Sequence, residues 1–197
     1  SKVKKELEIE KKIFYIISEN NLRSNFVGYT DLESEGKILC ILDENFNTLK
    51  RAEKGKEVFL VVDETPFYPE GGGQVGDKGK ITSRNGIADV KDTKKVGDII
   101  LHKVKILEGE LEEGTRVLLA VDTFLREQTA RHHTTTHLLH SSLRKILGTH
   151  VRQMGSLVEP NRLRFDFSHP NQLSYDELKD IESLINEWIM SDFHVQH

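Results

Sequence analysis

From Phe26 to Val121 the chain is a succession of short strand-like segments divided by turn residues, and this stretch limits the possible fold more than any other. The segments are Lys37–Leu42, Glu57–Val62, Gly79–Ser83, Gly86–Val90, Ile99–Val104 and Arg116–Val121. Glu35-Gly36, Arg84-Asn85-Gly86, Val96-Gly97-Asp98 and Glu113-Gly114 punctuate them, and Asn85-Gly86 is a strong tight-hairpin signal. Several strands at this spacing with no helix between them predict an antiparallel barrel.

The flanks read differently. Residues 2–20 place Leu7, Ile9, Ile13, Phe14, Ile16 and Ile17 at helical spacing and predict a lead-in helix ending near Asn20-Asn21. A long helix is expected from Thr123 to Leu147, capped by Asp122 or Thr123 and closed by Gly148. His150–Val158 and Arg162–Phe167 read as strands around the turn Glu159-Pro160-Asn161. Ser174 with Glu177 three residues on is a capping box, opening a helix with Leu178, Ile181, Leu184, Ile185 and Trp188 on its apolar side. The expected class is α+β: a lead-in helix over 1–22, a β-barrel-like subdomain over 23–121 and an α/β subdomain over 122–197. A chain of 197 residues with 37% hydrophobic and 30% charged residues can bury cores of this kind.

Chemistry concentrates in the long helix. His132, His133, His137 and His140 are four of the nine histidines and fall within nine residues. On a helix His133 and His137 lie one turn apart on one face, the spacing at which two imidazoles can close on a zinc ion. Thr134 stands where the metalloprotease pattern His-Glu-x-x-His needs its Glu, so protease chemistry is a poor fit. Without a metal, the same pair is an ordinary surface or core feature. The three threonines 134–136 are poor helix formers and need tertiary support.

Gly71, Gly73 and Gly76 satisfy Gly-x-Gly-x-x-Gly, yet two prolines precede them and a strand-like segment follows, so a dinucleotide site is not implied. Asp77 occupies the place of a P-loop lysine. The loop reads either as a hinge-like turn or as a segment pressed against another subdomain's substrate. Residues 122–170 hold seven Lys and Arg against four acids, whereas the following residues are strongly acidic. Arg126, Arg131 and Arg152 are therefore expected on a phosphate-contacting surface, with a solvated helix face as the plainer alternative.

Four stretches together resemble the editing region of the alanyl-tRNA synthetases. They are Thr65-Pro-Phe-Tyr-Pro-Glu-Gly-Gly-Gly-Gln-Val-Gly-Asp77, His133-Thr-Thr-Thr-His-Leu-Leu-His140, Leu147-Gly-Thr-His-Val-Arg-Gln-Met-Gly-Ser156 and Leu163-Arg-Phe-Asp-Phe-Ser-His169. The editing region is related to free-standing editing proteins and to the second editing domain of threonyl-tRNA synthetase. The resemblance implies an α/β editing subdomain over 122–197 that hydrolyses the ester joining serine or glycine to tRNA(Ala). It implies that His133 and His137 are zinc ligands, that Thr136 and Gln153 line the amino-acid pocket as catalytic residues, and that Gly71, Gly72 and Gly73 face the substrate. Thr135 departs from the family, which usually has Ala there. The family's other two ligands come from a Cys-x-x-x-His element that this sequence lacks, and Cys40 does not fit that role.

The expected partners are the tRNA(Ala) acceptor end and the remaining domains of a synthetase, where ATP binding would reside. The chain starts at Ser1 without Met and stops at Phe193-His194-Val195-Gln196-His197, which reads like the opening of a strand. It is expected to be an internal piece, with weak zinc binding and little activity alone. With no apolar run of membrane length, no signal-peptide pattern and one cysteine, the expected location is the cytoplasm. Three other readings stay open: a free-standing trans-editing protein, a non-catalytic tRNA-binding module, and a protein whose histidines hold metal only for structure.

Overall fold

The computed structural model describes residues 2–191. The strand opening expected at 193–197, with His197, lies outside the described residues. The chain forms two compact units, residues 1–71 with 75–126 and residues 72–74 with 127–197.

In the first unit, α1 (Lys2–Asn20) stops where Asn21 takes a positive φ of 48°. Its apolar stripe is not idle: Ile13 and Ile16 share a buried cluster with Leu22, Cys40, Leu42, Val61, Ile99 and Leu101. The lead-in helix is thereby part of the barrel unit. Then come β1 (Asn25–Phe26), β2 (Glu33–Leu42), β3 (Thr48–Leu49), β4 (Arg51–Glu53), β5 (Glu57–Val62) and β6 (Glu64–Thr65). They are followed by β7 (Gly79–Thr82), β8 (Gly86–Val96), β9 (Ile99–Glu112) and β10 (Arg116–Val121).

The antiparallel order β10-β7-β8-β9-β5-β2 closes on itself, because β10 also pairs with β2. Closure removes the sheet edges, which otherwise invite pairing with other chains. Alternation sets the faces: Val117, Leu119 and Val121 of β10 point inward, while Arg116 and Leu118 point out. Ile38, Leu60, Val62, Phe67, Ile81, Val90, Val104 and Ile106 fill the interior. The small β3 and β4 attach to β2 and β9, and β1 pairs with β6 in parallel.

The β7–β8 hairpin forms where Asn85-Gly86 predicts it, by a different device. Ser83 Oγ accepts from the N–H groups of Asn85 and Gly86 at 3.1 and 3.0 Å. Neither turn residue has a positive φ; that falls to Gly109 (φ 60°) on β9, where a Cβ would overlap Asn85 O.

His102 is a polar peg inside the barrel. It is fully buried, with Nδ1 3.1 Å from Leu60 O and Nε2 2.7 Å from Thr65 Oγ1. Phe67 N–H donates to the same hydroxyl at 3.2 Å. A neutral ring satisfies everything, Nδ1–H donating to Leu60 O and Nε2 accepting from Thr65. Burial pushes its pKa down to about 4.

The second unit is built on α2 (Thr123–Leu147) from Glu127 onward, the helix's first residues to Arg126 grouping with the first unit, and the helix bounds match the sequence expectation. Asp122 Oδ1 accepts from Leu125 N–H at 3.0 Å as the cap, and Gly148 (φ 117°) ends the helix. The strands β11 (Gln153–Glu159) and β12 (Arg162–Phe167) pair as an antiparallel ribbon. Ser174 caps α3 (Tyr175–Met190) with both halves of the capping box formed. Leu143, Val151 and Ile181 are the buried centre, with Leu139, Ile146, Phe165 and Phe167 packed partly against them. On α3 only Ile181 is buried, and Leu178, expected on the apolar side, is exposed. Among the described residues no helix is long and apolar enough to cross a membrane.

Candidate functional site

The glycine loop is anchored at its neck within the first unit. Tyr68 and Asp77 face each other, Tyr68 N–H donating to Asp77 Oδ2 at 2.8 Å and Asp77 N–H to Tyr68 O at 2.9 Å. Thr93 Oγ1 donates to Asp77 O at 2.9 Å and Glu70 N–H to Thr93 O at 2.8 Å. The loop tip, Gly72–Gln74, groups with the second unit. There Gly73 O accepts from Val158 N–H at 2.8 Å, and a Cβ on Gly73 would lie 2.7 Å from Ser156 O. Gly73 also has φ 84°. Glycine is required at position 73 both by its positive φ, as the turn reading expects, and by its close approach to β11.

This approach delivers a side chain. Gln74 is buried, and its Oε1 lies 2.9 Å from His133 Nδ1. As an acceptor it fixes Nδ1–H on His133, which leaves Nε2 with a lone pair. His133 Nε2 lies 3.1 Å from His137 Nε2, with ring centroids 4.9 Å apart. Two nitrogens on a tetrahedral zinc stand roughly 3.3 Å apart, given bonds of about 2.0–2.1 Å. The pair therefore fits two corners of such a site, and Gln74 has the place of an outer partner that orients a metal-binding imidazole. Among the described residues no group of three or more His, Cys, Asp or Glu side chains is arranged to hold one ion.

The other two histidines of the segment diverge from this pair. His132 Nδ1 contacts Glu159 O at 2.7 Å. His140 turns to Phe165, its centroid 5.3 Å from that ring, and its Nε2 is buried with no hydrogen-bond partner among the described residues.

Thr136 is buried and donates its hydroxyl to His132 O at 2.9 Å, while Thr135 does the same to Arg131 O. This back-bonding is how the threonines fit into the helix, and it leaves the Thr136 oxygen able to accept. Gln153 is exposed at the start of β11, opposite Phe167. Gly71 groups with the first unit, and Gly72 (φ 60°) borders open space.

The three arginines differ in exposure. Arg126 belongs to the first unit, with a side chain only 15% exposed; Nη1 lies 3.3 Å from Asp77 Oδ2 and Nη2 donates to Gly28 O at 2.8 Å. Burial raises the Asp77 pKa, opposed by the Tyr68 N–H and the Arg126 charge. Arg126 thus serves the neck of the loop, not a phosphate surface. Arg131, paired with Glu127 at 3.5 Å, and Arg152 are exposed on the second unit.

The sequence reading passed over Gln74 and His102. Gln74 had a signal, as the polar residue directly after three glycines in a stretch already singled out. His102 had none, being a lone histidine in a strand.

Residues 1–125 match the family described as tRNA synthetases class II (A). The chain is 50% identical to the alanine–tRNA ligase of Thermus thermophilus over 87% of its length, covering 19% of that relative. It is 46% identical to that of Thermotoga maritima over 89% of its length, and 44% identical to that of Caldicellulosiruptor saccharolyticus over 98%, covering 20% and 22% of those proteins. The chain thus spans about a fifth of the length of the curated relatives it matches.

Proposed function

This chain belongs to the tRNA synthetases class II (A), and from that premise we propose that it is the editing region of an alanine–tRNA ligase, hydrolysing the aminoacyl ester of Ser-tRNA(Ala) or Gly-tRNA(Ala). The observation that carries the reading is the His133–His137 pair with Gln74 locked onto its outer nitrogen. An enzyme that charges alanine needs such a function, because a pocket for a small side chain rejects near-isosteres only weakly.

His133 and His137 would hold zinc through their Nε2 atoms. When bound, the ion would supply Lewis-acid polarisation or a more acidic bound water. Gln74 holds His133 in the tautomer that presents Nε2. The acceptor lone pairs of Thr136 and the amide of Gln153 are the groups suited to read a serine hydroxyl. The substrate ester is already activated, so holding it beside a water is most of the task. Water adds to the carbonyl, the ester C–O bond breaks, and the products are the free amino acid and the tRNA 3′-terminal hydroxyl. Arg131 and Arg152 are the exposed cations suited to the acceptor-end phosphates. The tRNA partner, the cytoplasmic setting and ATP-dependent charging by the whole ligase belong to this same proposal.

The test is release of serine from Ser-tRNA(Ala) by the protein at the full length of its relatives. His133→Ala and His137→Ala should each abolish release while alanine charging persists. Undiminished release by both variants would refute the assignment.

A further inference from the structure

A second imidazole pair lies outside the site described above. His150 follows the turn that ends α2, and His169 follows β12; His150 Nε2 and His169 Nδ1 are 2.9 Å apart, with ring centroids at 5.1 Å and planes 27° apart. Both residues are at least partly solvent-accessible. The two rings hydrogen-bond each other, and the Glu177 carboxylate of α3 interacts electrostatically with His169, whereas His102 and His132 are engaged by backbone carbonyls.

The backbone beneath the pair is fixed from both sides. Val151 is fully buried, its N–H donates to Gly148 O at 3.3 Å, and its carbonyl accepts from Arg144 Nη1 at 2.9 Å. Ser168 N–H donates to Arg152 O at 3.0 Å, and Arg152 N–H donates to Ser168 Oγ at 3.2 Å. The two histidines are therefore brought together by an anchored end of the β11–β12 ribbon rather than by loose loops. The arrangement is pre-organised, and the second donor is presented at high effective concentration.

We propose that His150 and His169 chelate a divalent transition-metal ion, binding it through His150 Nε2 and His169 Nδ1 with water in the remaining positions, and that the ion staples the open end of the β11–β12 ribbon. Neutral imidazole selects Zn²⁺, Ni²⁺ or Cu²⁺ over Mg²⁺ and Ca²⁺. Binding displaces the proton shared between the two nitrogens, so it weakens as pH falls. The site is separate from His133 and His137 and does not depend on the editing reading.

The experiment uses nickel chloride with the His133→Ala/His137→Ala chain, followed by calorimetric titration and thermal unfolding. One equivalent of nickel should bind and raise Tm. Adding His169→Gln keeps a hydrogen-bonding side chain beside His150 but removes the second imidazole, and should weaken nickel binding roughly a hundredfold, the scale of losing a tethered second ligand. Should the double variant fail to fold, substoichiometric Cu²⁺ added to the unsubstituted chain should broaden the NMR signals of the His150 and His169 rings in the presence and absence of one equivalent of zinc. Equal nickel affinity with and without His169→Gln, or sharp His150 and His169 signals beside broadened ones elsewhere, would overturn the proposal.

Discussion

The barrel holds its one histidine differently from most of those in the second unit. Among the described residues the barrel's apolar cluster has sixteen buried members, and His102 is fully buried beside one of them, Phe67, tied to Leu60 and Thr65, and driven neutral by burial. Among the described residues of the second unit the buried apolar cluster has three members, with Val158 buried apart from it, and His133, His137, His150 and His169 hold contacts with other side chains through nitrogens a metal could take. His132, on Glu159 O, and His140, against Phe165, are the exceptions in the second unit. On the proposed function the barrel would be the scaffold and the helix–ribbon unit would carry the reactive groups.

The comparison is broken most forcefully in the barrel core. Phe67→Ala removes a fully buried ring and is expected to cost about 3–5 kcal/mol, whereas Leu143→Ala in the thinner core should fall at the low end of the usual range, about 2–3 kcal/mol. Urea unfolding of both variants checks the order. Equal costs would mean that the second unit is as tightly packed as the first.

Arg126→Ala should be the next largest. It leaves the buried Asp77 carboxylate without its cation, and breaking a buried pair costs roughly 3 kcal/mol or more. Arg131→Ala and Arg152→Ala, both exposed, should change stability by no more than about 0.5 kcal/mol and instead flatten the salt dependence of tRNA binding. A stable Arg126→Ala protein with a flattened salt slope would return that residue to the phosphate surface.

Much of this division was legible in the sequence. All six barrel strands appear where turn residues and β-branched runs place them, and the long helix has the predicted ends. The reading stopped short on β8 and β9, which continue to Val96 and Glu112. Register shifts at Ile87/Ala88 and Val90/Asp92 interrupt the two-residue period there. The pairs β3 and β4 are too short to show any period. In the site, the His133–His137 pairing follows from helical spacing alone, but Gln74 is 59 residues from His133 and no local pattern joins them. Arg126 was misplaced because counting charges cannot reveal that Asp77 is buried beside it.

His102 sharpens the contrast through pH. Its folded pKa is about 4 against 6.5 for a free histidine, so between these values the unfolded chain binds the extra proton. The contribution is fully present above pH 6.5 and is lost as pH falls towards 4, in total about 3 kcal/mol. Denaturant midpoints across that window should fall with acid, and His102→Gln should remove that part of the slope. A slope unchanged in His102→Gln would assign acid sensitivity to other groups.

Gly73→Ala should be milder for folding and worse for function. Its φ of 84° and the closeness of Ser156 cost about 1–3 kcal/mol, and the tip that presents Gln74 must shift. Serine release should fall more than stability does; a fully active variant would show that the tip need not sit against β11.

The most direct measurement compares serine release from Ser-tRNA(Ala) with alanine charging in Gln74→Ala, made in the protein at the full length of its relatives. If Gln74 orients His133 for metal-assisted ester hydrolysis, release falls by roughly 10–100-fold, bound zinc is held less tightly, and charging is unchanged. Wild-type release and zinc retention in Gln74→Ala would contradict the account.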